Sequence, residues 1–273
     1  MAFTVTSMTD QWVLNRINFA GCWQGPGTWF GRDGSDRLDL TTPQRVIDPT
    51  TYVIRFSDAD HGVWDGSGLA FTPGGQATYA INRQSYNAGG GCWQFEGAGG
   101  QSSLRLDAAR GRFGHEINLF QGRSRSMLVL LWEPRDGAWW LQAVGAVAFR
   151  CRDAADLEPE RPTCGTPEAL LEPLRGWPGQ AESLRPQPGV MARASDPRSV
   201  VFEPDQLLRH DCSAVMPDGL VFSAPERLPD SACTLEIGAR LAADRFQQVS
   251  ICFDADGRLL QWDRSSFQPV PLS

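Results

Sequence analysis

The chain has 273 residues, 41% hydrophobic and 21% charged, which suits one large domain or two modest ones with real cores and argues against wholesale disorder. Net charge is −7, and all 25 basic residues are arginine, so no lysine exists for a Schiff base or a Walker loop, and the acidic balance argues against nucleic-acid binding. The seven cysteines (22, 92, 151, 164, 212, 233 and 252) are odd in number and form no C-x-x-C pair, so neither a disulfide framework nor a zinc ribbon fits, and no metal or cofactor is implied.

Residues 1–10 show no basic and then apolar leader, so no signal peptide is expected. Residues 10–19 (DQWVLNRINF) form a helical turn that brings Trp12, Ile17 and Phe19 near one another, with Asp10 as N-cap. In the following GCWQGPGTWFGRDG the glycines break any helix, while Trp23, Trp29 and Phe30 offer large apolar surface. From there to Arg150 one strand follows another: 52–57, 77–83, 92–96, 102–107, 113–120, 126–132 and 138–149, each bounded by turn residues. The Glu133-Pro134-Arg135-Asp136-Gly137 segment is a strong hairpin signal. This spacing suits a closed antiparallel β-barrel over residues 1–152. Residues 153–198, rich in Pro and charge, read as a connector with a short helix at 167–174. Strands resume at 200–203, 219–224, 234–241, 247–254 and 259–262, a smaller β module over 199–273. The longest clean apolar run, 127–132, is far too short to cross a bilayer, so a cytoplasmic chain without membrane insertion is expected.

Chemistry-bearing constellations are sparse. His115 and Glu116 are adjacent on a strand and therefore face opposite ways. His61 and His210 lie far from His115 in sequence and give no metal spacing. Asp58, Asp60 and Asp65 lack the spacing of a calcium loop, and the glycine runs at 89–91 and 97–100 lack a following helix that would cradle phosphate. No G-x-S-x-G elbow is present, so no catalytic residue is assigned and an enzyme is not expected. The tryptophans leave two alternatives. Trp93, Trp139 and Trp140, with His115, are candidates to line a barrel cavity, or they are core. Trp29, Arg123 and Arg125 are candidates for a partner surface, since Trp and Arg are enriched in interface hot spots.

Gly21-Cys22-Trp23 after a helical turn resembles the G-x-W start of calycin (lipocalin-like) barrels. The resemblance implies that an arginine of the last barrel strand packs over the tryptophan. Arg150 matches that role, so Trp23 and Arg150 would form a structural lock. More specifically, Gly25-x-Gly27-Thr28-Trp29, the stretch from Gly114 to Phe120, and Arg125-Ser126-Met127 resemble a cyanobacterial and plastid family that includes the chloroplast F1 ATP synthase assembly (biogenesis) factor. The match covers the first module well and the second poorly. It implies a non-enzymatic scaffold or chaperone with two β-barrel-like modules that contacts F1 ATP synthase subunits. A carrier or lyase for a hydrophobic molecule such as a bilin, another tetrapyrrole or a carotenoid is the other expectation, and it requires a hollow barrel.

Overall fold

The computed structural model describes residues 10–69, 77–161 and 165–270. Residues 1–9, on which the leader expectation rests, and Cys164 lie outside the described residues. The first module comprises helix α1 (Gln11–Phe19) and strands β1 (Gly21–Arg32), β2 (Leu38–Asp39), β3 (Arg45–Phe56), β4 (His61–Gly68), β5 (Thr78–Asn82), β6 (Cys92–Phe95), β7 (Ala98–Ser102), β8 (Phe113–Gln121), β9 (Ser124–Arg135) and β10 (Ala138–Cys151). The second comprises α2 (Pro167–Leu171), β11 (Pro178–Leu184), β12 (Arg198–Val201), α3 (Pro204–Leu207), β13 (Cys212–Met216), β14 (Leu220–Ala224), β15 (Cys233–Ala242), β16 (Arg245–Phe253) and β17 (Leu259–Phe267).

The fold is mainly β. The first sheet runs β5-β4-β3-β1-β10-β9-β8-β7-β6, with β2 on β1, and curls into a half-barrel of antiparallel strands. Its end strands β5 and β6 do not pair with each other, so closure is not made by a β-ladder. Helix α1 covers the β6 edge instead. The Gln11 side chain donates to the Gln94 carbonyl (3.1 Å) and accepts from the Gln94 amide (2.8 Å), in place of a neighbouring strand. Asn18 donates to the Phe95 carbonyl at 2.9 Å and accepts from the Gly97 amide at 3.2 Å. This explains why the buried helix face is 11, 12, 15, 18 and 19, whereas Ile17 is exposed rather than grouped with Trp12 and Phe19. Asp10 caps the helix, accepting from the Val13 amide at 2.9 Å.

The glycine-rich 21–32 stretch is a full strand. Its glycines break helices, and they also let β1 lie close to its neighbours: a Cβ on Gly25 would come 1.8 Å from the Ala148 carbonyl oxygen. A register shift between Gly25 and Gly27 bends the strand where the sheet curls. In the β9–β10 hairpin, Asp136 and Gly137 have φ of +50° and +76°, the left-handed pair that a two-residue primed turn requires.

The second sheet runs β12-β11-β17-β16-β15-β14-β13. It begins inside the stretch expected to act as connector, because β11 pairs with β17. The two sheets pack face to face around one apolar cluster that includes Trp93, Phe95, Phe113, Leu128 and Trp132 from the first, and Phe222, Ile237, Ile251, Phe253 and Trp262 from the second. Trp93 stacks on Trp262 at 6.0 Å. Leu170, Leu171, Leu174 and Leu207 cover Val221, Phe246 and Phe267 on the second sheet. No helix among the described residues is long and apolar enough to cross a membrane.

Candidate functional site

The concave face of the curled sheet leaves a cavity of about 310 Å³. Tyr52 comes from β3, Trp64 from β4, Tyr79 and Ile81 from β5, Cys92 from β6, Gln101 from β7 and Glu116 from β8, while Asn15 and Phe19 reach in from α1. Tyr86 and Asn87, in the turns after β5, complete the wall. Trp64 and Tyr79 stack at 4.8 Å and 26°, and Tyr52 meets Trp64 edge-on at 5.6 Å and 89°. Gly66 lets the Trp64 ring lie along its own strand, since a Cβ there would fall 1.9 Å from the indole. Tyr79 is 46% exposed, which puts the mouth at the unpaired β5 edge.

Among the described residues that line the cavity, Glu116 is the only Asp, Glu, Arg or His, and its carboxylate accepts from the Asn118 side-chain amide at 3.0 Å. Asn118 is fully buried, and its Oδ1 has no hydrogen-bond partner. Burial, and then the nearby Glu116, push the Cys92 thiol up to about 11. Burial first, then Cys92 and Glu116, raise Tyr79. Burial, then Glu116, raise Tyr52, and burial raises Tyr86 well above the usual phenol range. The thiol and these phenols are therefore neutral hydrogen-bonding groups at neutral pH, not nucleophiles.

Beneath the cavity lies Arg125, fully buried, with its guanidinium carbon 4.2 Å from the Phe149 ring centre, 4.3 Å from Tyr52 and 5.0 Å from Trp23. None of its three side-chain nitrogens has a hydrogen-bond partner. Burial pushes it down to about 10, which leaves it charged at neutral pH. Arg123 packs on Trp23 at 4.7 Å and donates to the Ala20 carbonyl and the Cys151 thiol. Trp23 itself is fully buried and donates to the Phe19 carbonyl at 2.8 Å.

The lock expected between Trp23 and Arg150 is therefore made by other arginines. Phe149 faces the concave side, so Arg150, next along β10, faces the second sheet. There it binds Asp218. The same alternation moves the expected cavity residues out of the cavity. His115 points away from Glu116 into the core between the sheets, against Phe113 (4.7 Å) and Phe253 (5.6 Å), with both ring nitrogens unpartnered. Trp93 stacks on Trp262, and Trp139 packs against the inter-sheet core. Trp140 is half-buried, with Arg32, Arg135 and Arg227 within 5.4–5.9 Å of its ring.

The expected partner-surface residues also turn inward. Arg125 is the buried cation and Arg123 is half-buried against Trp23. Trp29 packs on the concave-face cluster, its ring seated against Gly145. Among the described residues, no group of three or more His, Cys, Asp or Glu is placed to hold a metal ion.

No protein-family model and no curated protein matches the chain. A crystal structure of a protein with unknown function from the DUF3598 family of Nostoc punctiforme is similar in fold, with a TM-score of 0.67 and 18% identity over 96% of this chain and 100% of that one. A conserved protein of unknown function with a hot dog fold from Alicyclobacillus acidocaldarius has a TM-score of only 0.12 at 9% identity over 81% of this chain and 97% of that one, too low for a common fold. The chain thus shares its fold with a DUF3598 protein of cyanobacterial origin, and at 18% identity that likeness establishes fold alone.

Proposed function

We propose that the first module binds a small ring-bearing molecule on the concave side of its curled sheet. The observation that carries this reading is the cavity of about 310 Å³, walled by Trp64, Tyr79, Tyr52 and Phe19 and provided with one carboxylate. Small-molecule sites are mostly apolar concavities of roughly 300–1,000 Å³ with a few placed polar groups. The size is at the low end of that range, which suits one or two rings better than a bilin, another tetrapyrrole or a carotenoid. The resemblance to calycins, which hold ligands inside the barrel, points the same way. The test is a titration of ¹⁵N-indole-labelled protein with small aromatic compounds. The Trp64 resonance should move while those of Trp93, Trp132 and Trp262, enclosed in the core, stay still. A set of compounds that leaves Trp64 unmoved contradicts the reading.

A second reading, the scaffold for F1 ATP synthase assembly implied by the family resemblance, draws support from Trp140 among its three arginines. Its check is co-purification, in which F1 subunits should be recovered with the parent chain and lost with Trp140→Ala. Their absence from the parent sample counts against it.

A further inference from the structure

The cavity also carries information about the charge of its occupant. Its aromatic walls meet at a corner: Tyr52 stands at 89° to Trp64, and Trp64 lies nearly parallel to Tyr79. Ring faces carry negative quadrupole potential and attract cations, most strongly where water is excluded. Among the described residues, Glu116 supplies the one lining carboxylate, and no arginine or histidine lines the space. The buried cation Arg125 is not among the lining residues; it packs against the far side of two of them, Tyr52 and Phe19, at 4.3 and 5.4 Å from their ring centres. Asn82, Asn87 and Gln101 also line the space and carry no charge; the Asn82 and Asn87 side-chain carbonyls already accept from the Ser85 and Cys92 amides at 2.8 Å.

The titration behaviour of the walls agrees with this geometry. At Tyr52, burial and Glu116 act upward and Arg125 acts downward. At Tyr79 and Cys92 Glu116 acts with no opposing cation. The whole chain, at −7, adds a field of the same sign.

We infer that the occupant is a small organic cation, a ring-bearing primary or quaternary ammonium, with its charge held by Glu116 against the aromatic wall of Trp64, Tyr79 and Tyr52. This rests on the small-molecule reading above and narrows it. The neutral or anionic occupants that a merely apolar pocket would accept become the alternatives to be tested.

The test compares three probes of similar size on the full chain by calorimetry and by the Trp64 indole resonance: benzyltrimethylammonium, benzyl alcohol and benzenesulfonate. The cation should bind most tightly and move Trp64. Glu116→Gln should weaken it about tenfold or more, as expected for loss of a charge-assisted contact, and should leave benzyl alcohol unchanged. Benzenesulfonate or benzyl alcohol binding at Trp64 as tightly as the cation overturns the charge assignment and leaves the small-molecule reading standing. A Glu116→Gln variant that weakens all three probes alike shows a collapsed site and also overturns the assignment. If none of the three probes moves Trp64 in the parent protein, both readings fall.

Discussion

Arg150 and Asp218 meet between the two sheets, with Nη2 2.6 Å from Oδ1 and Nη1 3.1 Å from Oδ2. The Asp218 side chain is wholly buried and that of Arg150 nearly so. Arg161 donates to the same carboxylate from its backbone amide (2.8 Å) and from Nη1 (3.0 Å), and Ser126 from its hydroxyl (2.6 Å). A φ of +62° at Asp218, in the β13–β14 turn, places its carboxylate in this cluster. One carboxylate thus bridges two guanidinium groups where the modules join, and Glu158 lies 3.6 Å from Arg161 as a second acidic partner. Asp218→Ala leaves both charges buried without it and should cost about 3–5 kcal/mol in a urea melt. Asp218→Asn keeps the acceptor and should cost less. An alanine variant as stable as the parent would contradict this role.

Arg125 should behave in the opposite way. Its side-chain nitrogens have no hydrogen-bond partner, and its guanidinium packs on ring faces. Methionine fills a similar volume without the desolvation penalty of a buried charge. Arg125→Met should shift stability by no more than about 2 kcal/mol, the scale of a desolvated cation–π contact. Arg150→Met should cost more, because it removes one of the two guanidinium groups that hold the buried Asp218 carboxylate. Equal losses for the two variants in parallel thermal melts would refute the distinction.

His115 makes stability depend on pH. Burial alone pushes its pKa down to about 3 from 6.5, and no partner satisfies either ring nitrogen. A histidine pKa depressed by folding means that the unfolded chain binds the proton first. Stability should fall as pH drops below about 6.5 and continue falling toward about 3. The full contribution is on the order of 4 kcal/mol. His115→Leu should flatten this part of the profile and leave stability at pH 7 nearly unchanged or improved. A variant with the parent's acid slope between pH 6 and about 4 would show that other groups carry it.

The shared core predicts that the modules do not fold apart. Without the second sheet, Trp93, Phe95, Phe113, Leu128 and Trp132 would lose their cover. Calorimetry of the full chain should give one cooperative transition, and a fragment of residues 1–152 should aggregate or expose apolar surface to dye. Two separable transitions would contradict a common core.

Much of this architecture is legible in the sequence because it rests on local signals. Asp10 caps its helix, Asp136-Gly137 makes its hairpin, and the runs at 113–120 and 126–132 read as strands because β-prone residues fill them. Strand β4 hides because His61–Gly68 carries three glycines and reads as a turn. Trp64, a principal wall of the cavity, hides with it. The site is obscured for a related reason. Alternation shows that His115 and Glu116 face opposite ways, but only the position of the second sheet decides which face is sealed. The more enzyme-like residue is in the core, and the carboxylate beside it faces the cavity. Arg150 and Asp218 are 68 residues apart, and no local pattern joins them.

The most direct measurement of the central claim is a crystal structure of the full chain grown with benzyltrimethylammonium. Electron density for the probe is expected inside the curled sheet, with the ammonium between the Glu116 carboxylate and the Trp64 ring. A cavity filled by the protein's own side chains, or a probe bound only elsewhere on the molecule, would contradict it.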